Sequence, residues 1–110
     1  MKFKNDWKLY LDDVRPCPEG YVLARSYVEA IELVQEMGCP SFISFDHDLG
    51  LIDGEEEKNG YSFAKWLVNM DLDHNIFPNH FNYQIHSSNP EGRKNINGLF
   101  LSYFNFKKKD

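Results

Sequence analysis

The chain has 110 residues, of which 42% are hydrophobic and 15% aromatic, and it carries a formal net charge of −5. That length predicts a single domain, residues 1–110, whose nine Phe, six Tyr and two Trp supply a real core and argue against disorder except at the ends. The acidic balance argues against broad duplex binding through phosphates, and no apolar run nears the ~18 residues of a membrane span. MKFKNDW lacks the apolar stretch of a secretory signal, and Cys17 and Cys39 lack the spacing of a disulfide scaffold or metal site. A cytoplasmic protein with reduced thiols and no membrane partner is therefore expected.

Residues 7 to 12 (WKLYLD) read as a first strand ending in acids. Val14 to Gly20 contains two prolines and a glycine and reads as a loop, and Tyr21 to Arg25 as a second short strand. Ser26 then opens a helix, with Ser26 and Glu29 spaced as a capping box. Ala30, Ile31, Leu33, Val34 and Met37 form its apolar stripe, and Gly38 and Pro40 end it. Ser41 to Phe45 is a nearly continuous apolar run ending at Asp46, as in a strand buried on both faces.

Gly50 to Gly60 is polar and acidic and reads as a loop, with Glu55 to Glu57 a solvated surface. Tyr61 to Met70 is a second amphipathic helix, Asp71 to Asn82 a connector, and Asn82 to His86 the last strand. Asn89-Pro90 starts the final helix as N-cap and first helical residue. Ile96, Leu99, Phe100, Tyr103 and Phe104 follow at helical spacing, with Lys107 to Lys109 past the end. The element order predicts an α/β fold with a doubly wound, mainly parallel sheet of about four strands. The first two strands are joined by a link short for a parallel crossover, so their relative direction stays open.

Three strands end in polar clusters: Asp12-Asp13 with Arg15, Asp46-His47-Asp48, and His86-Ser87-Ser88-Asn89 with Arg93 beyond. In an open α/β sheet ligands bind outside the carboxyl ends of the strands, so parallel strands would bring all three clusters to one edge. Asp12, Asp13, Asp46 and Asp48 offer hard oxygen ligands whose mutual repulsion a divalent cation relieves, Mg²⁺ being the natural choice. Ser87, Ser88, Asn89, Arg93 and Arg15 are candidate phosphate ligands around a helix N-terminus. His86 and His47 are candidate proton carriers. The plainer account treats Asp12, Asp13 and Asp48 as turn residues and Asn89-Pro90 as a helix cap.

LDDVRPCPEG (11–20), SFDHDLG (44–50) and HSSNPEGRKNI (86–96) closely resemble three motifs of the cyclic-phosphate processing receiver-like domains, some of which look like stand-alone phage proteins. The resemblance covers nearly the whole chain, and DHDLG together with HSxNPxGR is its specific part. It implies a receiver-like sheet, with Asp12 and Asp13 matching the receiver metal-binding pair and Asp46 the phosphoacceptor position. His47, Asp48, His86, Asn89 and Arg93 are the additions to the receiver pattern. In a phage-encoded member the location would be the host cytoplasm. The chain ends one helix after its last predicted strand, so the receiver's phosphate-pairing lysine has no counterpart, which counts against ordinary phosphorelay signalling.

The leading expectation is therefore a metal-assisted phosphoesterase or binding domain for a cyclic phosphate on a nucleotide or an RNA end. Asp46, His86 and His47 would be its catalytic residues. A sensor or sequestering module without turnover is the alternative, followed by a receiver-type switch and an acidic interaction protein.

Overall fold

The computed structural model describes residues 6–46, 51–52, 55–56 and 59–108. In chain order its elements are β1 (Lys8–Leu11), β2 (Val22–Ala24), α1 (Tyr27–Met37), β3 (Phe42–Phe45), β4 (Leu51–Ile52), β5 (Glu55–Glu56), α2 (Gly60–His74), β6 (Asn82–Ile85) and α3 (Pro90–Lys108). The main sheet has the order β2–β1–β3–β6 and every pairing in it is parallel. The direction of the first two strands is thereby settled: Leu9 pairs with Val22 and Leu11 with Ala24, in parallel.

That parallel pair is made without a crossover helix. Residues 12–21 return the chain by turns instead. The Tyr21 N–H donates to the Pro18 carbonyl at 3.3 Å, and Gly20 sits at φ +90° between them. A turn with that left-handed third position favours glycine. Arg25 then ties the loop down, its Nη1 donating to the Arg15 carbonyl at 2.8 Å and more weakly to that of Asp12 at 3.4 Å.

The other two connections carry helices and cross in the same direction along the sheet. Right-handed crossovers of that kind place their helices on one face. Leu9, Leu11, Ile43 and Phe45 line this face, fully buried against Phe63 and Leu67 of α2 and Ile96 and Phe100 of α3. The Phe45 ring lies 5.6 Å from Phe100 and 6.1 Å from Phe63. Each such side chain contributes about 1.5–3 kcal/mol on burial. The alternate strand residues Lys8, Tyr10, Phe42, Ser44, Asn82 and Gln84 face the other way. Tyr10 is buried, yet it stands outside the core cluster.

Three local expectations are corrected. Residues 51–52 and 55–56, expected in a loop, pair as a short antiparallel hairpin. The second helix runs on to His74, a turn past Met70, and closes at Asn75 with φ 55°. Asp71, read as a connector residue, is inside that helix and buried, accepting from the Phe77 N–H, the Tyr103 hydroxyl and Lys107 Nζ. Lys107 accordingly belongs to α3 rather than to a tail, while Lys109 lies outside the described residues.

Capping also differs in detail. Ser26 Oγ accepts from the Glu29 N–H at 3.1 Å as expected, but the Glu29 carboxylate takes the Arg25 N–H at 2.7 Å. A reciprocal box forms at the start of α2, between Asn59 and Ser62. Among the described residues no helix is long and apolar enough to cross a membrane.

Candidate functional site

The parallel register that pairs Leu11, Phe45 and Ile85 across three strands brings the next residues, Asp12, Asp46 and His86, into one row at the carboxyl end of the sheet. The ladder continues into this row. The Asp46 N–H donates to the Leu11 carbonyl at 3.0 Å and the His86 N–H to the Phe45 carbonyl at 2.9 Å. The row sits where the strand order reverses direction, between β1 and β3, which is where open α/β sheets hold ligands.

His86 directly follows β6 and its ring reaches across β3 to β1. Its Nε2 lies 2.8 Å from Asp12 Oδ2, and its ring stacks on Tyr10 at 4.6 Å with the planes 5° apart. The β3 residue that meets the ring edge is Ser44, which is fully buried. Ser44 Oγ is 2.7 Å from His86 Nδ1 and accepts from Gln84 Nε2 at 3.0 Å. An ionised carboxylate only accepts, so Nε2 carries the proton facing Asp12. In the neutral ring Nδ1 is then the acceptor, and the Ser44 hydroxyl is its donor. Both ring nitrogens are thus committed within the protein.

Asp12 is fully buried and its carboxylate is crowded with donors. Oδ1 accepts from the backbone N–H groups of Val14 at 2.9 Å and Arg15 at 2.8 Å, forming the turn that leaves β1. Burial alone would raise its pKa. The Arg15 and Val14 amides, with the hydrogen bond and charge of His86, outweigh burial and hold it below the ordinary carboxylate value. Arg15 Nε lies 3.7 Å from Oδ2, with half of the Arg15 side chain exposed to solvent. The turn reading of Asp12 thus holds at Oδ1, while Oδ2 faces His86 and Arg15.

The helix start beside the row offers fewer donors than its sequence suggests. Pro90 has no N–H, and the Gly92 N–H is taken by Asn89 Oδ1 at 3.0 Å. Ser87 is buried, with its Oγ accepting the Asn89 N–H at 3.1 Å, whereas Ser88 and Arg93 are exposed. The side chains of Arg15, Ser88 and Arg93 are consequently the solvent-facing donors among the candidate phosphate ligands.

Among the described residues, donor atoms of Asp12, Asp46 and His86 all lie within 4.8 Å of one another. The two carboxylates fit a divalent cation, and the imidazole joins them only by giving up the proton it holds toward Asp12. The oxygens suit Mg²⁺, and the imidazole extends the choice to Mn²⁺ and its neighbours. Asp13 is half-buried next to this group and is not part of it, and His47 and Asp48 lie outside the described residues. Sequence reading missed Tyr10, Ser44, Gln84 and Arg25. The signal for the first three was present, because they alternate along their strands with the core-facing residues and so share the face of His86.

A family profile described as "Cyclic-phosphate processing Receiver domain" matches residues 7–102. The chain belongs to this family, and its four parallel strands with three helices are an α/β, receiver-like fold. No curated protein and no solved structure is significantly similar to it.

Proposed function

We propose that this receiver-family chain binds a cyclic phosphate of a nucleotide or RNA end at the carboxyl edge of its sheet and processes it there. The observation that carries this reading is the row of Asp12, Asp46 and His86 on three adjacent parallel strands, with α3 starting beside it. Asp12 and Asp46 would hold, beside His86, a divalent cation, which when bound supplies charge to polarise a phosphoryl oxygen or a water. Arg15 and Arg93 bring solvent-exposed cationic side chains to phosphate oxygens. With Asp12 and Asp46 holding the cation and the His86 ring left unligated, His86 holds a proton at Nε2 against Asp12, available to a leaving oxygen once that bond is exchanged. His47 is the alternative proton carrier and Asp48 a further acid of the same segment.

One observation favours binding without turnover as a second reading. Both nitrogens of His86 are already bonded inside the protein, at 2.8 Å and 2.7 Å. The test is to incubate the protein with Mg²⁺ and a panel of 2′,3′- and 3′,5′-cyclic nucleotides and to separate the mixtures chromatographically. Ring-opened product that disappears in Asp46→Asn and His86→Ala supports processing. Saturable binding with no product after long incubation selects the second reading. Variants that bind and turn over like wild type would remove both.

A further inference from the structure

Beside the candidate site a groove of about 780 Å³ runs between the outer edge of β6 and one side of α3. Its upper end is formed by Pro90 and Arg93, in the first turn of the helix that begins beside His86. From there it descends past Lys94 and Asn97 to Leu101. The α3 stretch from Pro90 to Leu101 is about 16 Å long at 1.5 Å per residue, so the groove extends well past one phosphate.

The lining has a marked chemistry. It contains Arg93 and Lys94 and no Asp or Glu, in a chain whose net charge is −5. Both cations are exposed, and neither has an ion-pair partner among the described residues. Asn82 and Asn97, whose Oδ1 atoms are held by Tyr83, keep their amide N–H groups for base edges, Gln84 keeps its Oε1 while its Nε2 is held by Ser44, and Phe81, Tyr83 and Phe104 are partly exposed rings.

A peptide strand added to the β6 edge fits this groove less well. The Asn82 and His86 N–H groups point to β3, so those of Tyr83 and Ile85 point outward. The Tyr83 N–H is already taken by Asn82 Oδ1 at 2.8 Å, which removes one of the two outward donors that an added strand would use.

We infer that the groove between β6 and α3 holds a single-stranded polynucleotide, with Lys94 and Arg93 on successive phosphates, and leads its end to the Asp12–Asp46–His86 row. This rests on the phosphate reading of that row and narrows its substrate from any cyclic nucleotide to the end of a strand. Single-strand binding through a few cations agrees with a net charge of −5, which disfavours broad duplex binding.

The test uses fluorescence anisotropy with a labelled short oligouridylate ending in a 2′,3′-cyclic phosphate. Unlabelled uridine 2′,3′-cyclic phosphate and an oligoglutamate peptide serve as competitors. The oligonucleotide should bind at least about tenfold more tightly than the mononucleotide, with a salt slope of about −1.4 for two phosphate contacts. Lys94→Gln should bring that slope to about −0.7, and Lys94→Glu should weaken the oligonucleotide about tenfold while sparing the mononucleotide. Leu101→Glu, at an exposed position low in the groove, should weaken the oligonucleotide alone.

Equal affinity for oligonucleotide and mononucleotide, unmoved by these variants, would overturn the groove and leave the phosphate site standing. Equal binding of an oligouridylate with a plain 3′-hydroxyl, still weakened by Lys94→Glu, would support the groove and overturn the cyclic-phosphate reading. Competition by oligoglutamate as strong as by RNA would overturn the assignment to nucleic acid.

Discussion

Two aspartates are buried among the described residues, Asp12 at the end of β1 and Asp71 in α2, at 0% and 4% exposure. Burial would raise the pKa of each, and in each the surrounding donors win and lower it. Their partners separate them. Asp71 is held by the Phe77 amide, Tyr103 and Lys107, at 2.6–2.8 Å, on the core side of the molecule. Asp12 is held by two turn amides and by an imidazole that also neighbours Asp46, at the open end of the sheet. A buried carboxylate saturated by a lysine and a phenol joins two helices. One whose partner is an exchangeable imidazole beside a second carboxylate is equipped to hold something else. The same residue type in a similar protonation state thus serves structure in one place and, in the proposed function, chemistry in the other.

That contrast breaks most visibly at Asp71. Asp71→Ala leaves Lys107, the Tyr103 hydroxyl and the Phe77 amide without their acceptor. The cost should be about 3 kcal/mol, at the low end for a broken buried pair because Lys107 is about one-third exposed. Urea denaturation measures it, and the ligand affinity of the remaining native protein should be unchanged. Asp12→Asn should cost less, about 1 kcal/mol, because an amide oxygen can still accept the Val14 and Arg15 N–H groups. A larger loss at Asp12 than at Asp71 would reverse the assignment.

The pH dependence sharpens the structural side. The pKa of Asp71 in the native state lies below its unfolded value of about 3.9. The unfolded chain therefore binds the proton first as the solution is acidified. The contribution of Asp71 is complete above pH ~4 and is lost as pH falls through the native value. Lys107 and Tyr103 face it from α3, and Tyr103 stays protonated throughout this window, its pKa pushed further up by burial and by Asp71. Thermal melts from pH 6 to 2 should fall more steeply for wild type than for Asp71→Asn. Parallel curves would contradict the role given to this residue.

The smallest effect expected is at Ser44. Ser44→Ala removes the hydroxyl that meets His86 Nδ1, at a cost of about 1 kcal/mol, while Asp12 still holds the Nε2 proton. In ¹⁵N spectra of the imidazole, the Nδ1 resonance should shift and that of Nε2 should move little. Unchanged Nδ1 would mean that Ser44 does not orient the ring.

The strand ends were readable because each polar cluster follows an apolar run, and parallel strands must bring such clusters to one edge. Asn89, Pro90 and the apolar repeat of α3 were equally plain, since capping and periodicity are local. The Asp71 network was hidden because aspartate disfavours helix interiors, and the Phe77 amide beyond the helix end with Tyr103 and Lys107, far along the chain, compensate for it. The β1–β2 link was ambiguous because its turns and the Arg25 anchor are tertiary contacts. Ser44 was invisible inside FISF, where a small polar residue reads as part of a buried strand until His86 is seen to meet it.

The most direct test of the contrast is Mn²⁺ binding followed by electron paramagnetic resonance in wild type, Asp12→Asn and Asp71→Asn. The account predicts loss of free Mn²⁺ signal with wild type and with Asp71→Asn, and none with Asp12→Asn. Binding by Asp12→Asn equal to wild type would contradict it.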